Sequence, residues 1–143
     1  MHSHGYATAI ALMGIPLFFQ ETKYYTDEAR AEIRPILEVY RAHRDAVYRG
    51  IVYPIGDKPD NASWYGFQCH LPGENQGYLM IFRERCNPDA KHSIRLGWLE
   101  PGTIQVTDLL REETLGKRVR PDGAVTFHIE EAPGFVFCRY LTV

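Results

Sequence analysis

The sequence predicts a mainly β protein: an antiparallel β-sandwich preceded by a helix–strand–helix segment. Three observations predict it. After Gly50 the chain runs through short β-type stretches, each closed by turn chemistry, with no helical period between them. Residues 26–49 carry the clearest helical period of the chain. Aromatic residues reach 13%, with nine Tyr and seven Phe, a composition that suits strands.

The N-terminal elements come first. Residues 6–13 read as a short apolar helix that Gly14 can end. Residues 15–19, Ile-Pro-Leu-Phe-Phe, read as a short strand that is apolar on both faces. Such strands belong in parallel sheets covered on both sides, and no second βα unit follows to supply a parallel partner. Residues 26–49 open on Thr26 as N-cap, with Asp27 and Glu28 in the first turn, where the helix dipole favours acids. Ile33, Ile36, Leu37, Tyr40 and Val47 fall at helical spacing. Pro35 is expected to kink or split this helix, and Gly50 to end it.

Seven strands are expected after that point, over residues 51–55, 64–71, 77–85, 93–99, 103–110, 125–130 and 135–142. Pro, Gly, Asn and Asp mark the turns between them. Residues 111–120 read as a polar connection. The boundary is placed near Gly50, giving an α/β-type unit over 1–50 and an all-β unit over 51–143.

Composition narrows the function classes. The 143 residues suffice for one domain with a real core, with 45% hydrophobic and 24% charged residues. The formal net charge of -2 provides no basic field for nucleic acid or for an anionic membrane. The apolar run over residues 7–19 is too short to span a bilayer and is interrupted by Gly14 and Pro16. Three cysteines, Cys69, Cys86 and Cys138, form neither an even set nor a C-x-x-C pair, so neither a disulfide framework nor a zinc site is expected. No cofactor is expected either: no P-loop, no G-x-G-x-x-G after a strand, no H-E-x-x-H and no G-x-S-x-G is present.

The remaining candidate chemistry is sparse. His2 and His4 form an H-x-H, but a metal site needs further ligands. Cys69 and His70 are adjacent, and on a strand adjacent side chains point to opposite faces, which rules out a Cys–His dyad. Asp57, Asp60 and Glu74 lie in two loops that could share one end of the sandwich, and paired carboxylates are what a glycosidase uses. No spacing fixes such a pair, so no catalytic residue is assigned. Trp64, Tyr65 and Trp98 are the candidates for a sugar-stacking platform, against the plainer reading that strand aromatics fill the core.

The order of segments then becomes informative. GIPLFFQ, the acid-started long helix, IVYPIGDKPDNASWYGFQ, GYLMIFRE, LGWLEPGTIQVTDLL, DGAVTFHIEE and FVFCRYLTV together resemble the C-terminal end of α-galactosidase-type (melibiase-like) glycoside hydrolases. In that family a (β/α)8 barrel ends with a strand and a helix, and an antiparallel sandwich follows directly. The resemblance implies that residues 15–19 are the last barrel strand, that residues 26–49 are the helix outside it, and that Gln20 and Glu21 sit at the rim of the active site. It also implies that the catalytic aspartates lie on earlier strands, outside this chain. Met1 would then be an internal methionine of a longer frame or the start of a truncated gene product.

Three functions follow as expectations. The first is a non-catalytic C-terminal portion of a glycoside hydrolase, meeting carbohydrate through the intact enzyme. The second is a freestanding carbohydrate-binding module built on Trp64, Tyr65 or Trp98. The third is a small structural protein that self-associates through its apolar N-terminal segment. An apolar patch at Ile15, Leu17, Phe18 and Phe19 would drive association, so removing residues 1–25 is expected to raise solubility.

Overall fold

The computed structural model describes residues 3–14, 16–17 and 22–143. Two helices come first, α1 (His4–Ala11) and α2 (Asp27–Arg49), with a 3-10 turn at Thr22–Tyr24 between them. The strands follow: β1 (Ile51–Gly56), β2 (Trp64–His70), β3 (Gln76–Arg83), β4 (Lys91–Arg95), β5 (Gly102–Asp108), β6 (Glu113–Val119), β7 (Ala124–His128) and β8 (Gly134–Thr142). Six strands form one sheet in the order β1-β2-β3-β8-β5-β6, and β4 pairs with β7 in a second, smaller sheet. Every described pairing is antiparallel.

The large sheet is covered on both faces. One face meets β4 and β7, with Ile55, Trp64, Leu79, Ile81, Ile94 and Phe127 in the shared core. The other meets the helices, where Tyr6, Leu12, Ile36 and Val47 pack on Met80 and Phe82. This explains why β3 reads as an unbroken apolar run, Tyr-Leu-Met-Ile-Phe. All its residues from Gly77 to Arg83 are buried, because alternate side chains enter two different cores. Close approach is needed too: a Cβ at Gly66 would collide with the Met80 carbonyl oxygen on the neighbouring strand.

Thr26 caps α2 as expected, its side chain accepting from Ala29 N at 3.2 Å, a contact worth about 1 kcal/mol. Pro35 does not split α2, which runs unbroken from Asp27 to Arg49. Pro35 is exposed, so water can satisfy the carbonyl that its missing N–H leaves free. The polar stretch over 111–120 is not a connection but contains β6, which makes eight strands among the described residues instead of seven. β6 is an edge strand paired only with β5 and largely exposed, so it lacks the apolar alternation that marks half-buried strands.

The N-terminal segment also differs. Pro16 and Leu17 lie in no strand, and Leu17 is 68% exposed. Ile15, Phe18 and Phe19 lie outside the described residues. α1, by contrast, is well packed: Tyr6 meets Phe82 edge-on at 5.1 Å and Phe135 at 6.4 Å. Gly5 N donates to Glu32 Oε2 at 3.0 Å, tying α1 to α2. The N-terminal helix thus covers the sheet, and removing it would uncover aromatic rings.

Candidate functional site

The β4–β5 connection carries the most exposed tryptophan. Trp98 is 69% exposed and has φ +65°, a left-handed backbone that bulky side chains rarely adopt. What holds it there starts one residue earlier. Gln68, fully buried on β2, grips the Gly97 backbone with both ends of its amide: Nε2 donates to Gly97 O at 2.9 Å, and Oε1 accepts from Gly97 N at 3.0 Å. A Cβ at Gly97 would lie 2.7 Å from Tyr53 Oη, so any side chain there would have to push the Tyr53 ring aside.

The same amide continues inward. Gln68 Nε2 also donates to Tyr140 Oη at 3.1 Å, and Tyr140 Oη lies 3.3 Å from His70 Nδ1. Gly77 leaves the room for the Tyr140 ring, since a Cβ there would collide with Tyr140 Oη. His70 in turn stacks under Trp98, with ring centroids 5.3 Å apart and planes 10° from parallel. Burial pushes the Tyr140 phenol up, which keeps it protonated near neutral pH. Tyr140 Oη accepts from Gln68 and keeps a proton of its own, with His70 Nδ1 the ring nitrogen that faces it.

The other sequence candidates are dispersed. Trp64 is 0% exposed; its indole N–H donates to Asn87 Oδ1 at 3.2 Å and Asp89 O at 3.0 Å, and the ring presents no face to a ligand. Tyr65 is half-buried on the opposite face of the sheet, stacked on Phe82 at 4.9 Å with its hydroxyl 3.3 Å from that of Tyr6. Trp64, Tyr65 and Trp98 therefore share no surface. Gln20 and Glu21 lie outside the described residues, as does His2.

Cys69 and His70 do face opposite ways. Cys69 Sγ donates to Val47 O of α2 at 3.4 Å, and burial raises its thiol to about 11. The loop acids are also separated. Asp57 and Asp60 sit in the β1–β2 loop and Glu74 in the β2–β3 turn, at opposite ends of β2, about 20 Å apart along a strand of that length. A glycosidase pair needs about 5–10 Å. Each acid has a local partner instead: Asp60 Oδ1 accepts from Ser63 and Ala62, Glu74 meets Arg49 at 3.5 Å, and Asp57 lies 3.9 Å from His92 Nε2.

Sequence reasoning missed Gln68, His70 and Tyr140 as one group. Strand parity was the available signal: Gln68 and His70 are two apart on β2, and register places Gly77 beside His70 and Tyr140 beside Gly77.

The fold is similar to part of a solved structure, that of a noncanonic maltogenic α-amylase, AmyB, from Thermotoga neapolitana. It is 13% identical, with a TM-score of 0.53 over 88% of this chain and 28% of that one. This chain therefore spans little more than a quarter of that protein's length. No protein-family model matches the chain, and no curated protein matches it.

Proposed function

We propose that this chain is the C-terminal, non-catalytic portion of a glycoside hydrolase, supporting a catalytic (β/α)8 barrel that lies outside it. The observation that carries this reading is the likeness of nearly the whole chain to a minor part of an α-amylase chain. Two features agree with it. Asp60 and Glu74 are engaged by Ser63 and Arg49, and Glu74 lies at the opposite end of β2 from the two aspartates, beyond the reach of a carboxylate pair. The N-terminal segment also leaves apolar groups uncovered, with Leu17 68% and Tyr24 75% exposed, where a barrel would provide neighbours.

The more specific reading, an α-galactosidase-type enzyme, rests on the sequence resemblance over GYLMIFRE and LGWLEPGTIQVTDLL. Residues 1–50 are then the end of the barrel and residues 51–143 the sandwich. Carbohydrate is met through the intact enzyme, and Leu17 and Tyr24, not the packed α1, are the N-terminal groups through which the isolated chain self-associates. The purified chain is expected to release no aryl alcohol from aryl α-galactosides or aryl α-glucosides. Turnover that co-purifies with the chain and disappears on carboxylate substitution would overturn the proposal.

A further inference from the structure

Trp98 is exposed yet tightly held. Hydrogen bonds from Gln68 fix the residue before it, a left-handed backbone directs it outward, and His70 stacks on one face of its indole. An exposed side chain that only filled space would need none of this. Ile51, 52% exposed, lies directly across from His70 in the β1–β2 register, so the two side chains share a face of the sheet. The result is an indole backed on one face by His70, itself flanked by Ile51, with its other face turned to solvent.

We propose that the open face of Trp98, backed by His70, is a binding platform for a pyranose ring of a glycan chain. A pyranose has an apolar face of axial C–H bonds and a rim of hydroxyl groups. The open face of an indole complements the former. Gln68, Tyr140 and His70 are positioning residues: they touch no sugar, and they hold Trp98 in place before binding, which reduces the ordering that binding would otherwise require. The choice of a sugar as the ligand rests on the proposed glycoside hydrolase origin; the platform itself rests on geometry.

Native affinity electrophoresis of the full chain tests this, in gels containing either soluble starch or galactomannan. Trp98→Asn removes the ring while keeping a residue that tolerates the left-handed backbone. The wild-type chain should be retarded in at least one of the two gels. The variant should bind about tenfold more weakly or worse, with an unchanged melting temperature. No retardation in either gel overturns the proposal, as does equal retardation of the variant. If Trp98→Asn changes only the sedimentation of the chain, the ring is a self-association contact and the proposal fails. None of these failures touches the assignment to a glycoside hydrolase, which is tested separately.

Discussion

Replacing Gln68 with Met would keep the length and shape of the side chain and remove its amide. Three hydrogen bonds would be lost: two to the Gly97 backbone at 2.9 and 3.0 Å, and one to Tyr140 Oη at 3.1 Å. Gly97 is half-buried, so water recovers part of the loss at its backbone, and Tyr140 keeps His70. At about 1 kcal/mol per bond the substitution should destabilise the chain by about 3 kcal/mol. For a chain of this size that is a fall of about 10 °C in melting temperature. Far-UV circular dichroism during heating measures it. Fluorescence gives an independent readout, because a released Gly97 frees Trp98 from His70 and its emission should change. A fall of less than about 3 °C with unchanged emission would show that the amide does not hold the loop, and the reasoning would be wrong.

Other consequences can be checked on the same preparation. Arg83 is buried and its guanidinium donates to three carbonyls, those of Asn87, Ile129 and Glu130; Arg83→Met should therefore destabilise by about 5 kcal/mol, and a denaturant midpoint near wild type would refute that role. Of the three thiols, only exposed Cys86 should react with a thiol reagent at pH 8 in the folded chain, since burial raises Cys69 to about 11 and Cys138 to about 12. Rapid reaction of two or three thiols would contradict the packing. These raised values also set an alkaline limit. The unfolded thiols ionise near pH 9 and the folded ones higher, so their contribution is fully present below about pH 9 and is lost as pH rises towards 11–12. Urea midpoints that stay flat across that range would disprove the link. Finally, deleting residues 1–25 should lower soluble yield, because it uncovers Phe82 and Phe135; a higher yield would mean that α1 is not needed as a cover.

Much of the framework could be read directly from local chemistry. Thr26, two acids and a 3.6-residue period define α2, and turn residues delimit most strands within a residue or two. β6 was not readable, because an exposed edge strand needs neither apolar faces nor alternation. The platform was only half readable. Trp98 stood out as an aromatic, but it was expected inside a strand over 93–99. The strand stops at Arg95, and the ring projects from a left-handed turn that depends on Gln68, a residue 30 positions earlier. Gln68 itself occupies a core-facing position where alternation calls for an apolar side chain, and its worth is visible only once Gly97 and Tyr140 are beside it. Tyr65 shows the opposite failure: as a strand aromatic it looked available, but the helices cover that face of the sheet.

The central claim is that this chain belongs to a larger hydrolase whose catalytic strands lie before it. Sequencing the coding region immediately upstream of Met1 tests that most directly. The account predicts an open frame, in register, that encodes alternating strands and helices with aspartates at strand ends. An in-frame stop codon close upstream, with no such strands in any frame beyond it, would contradict it.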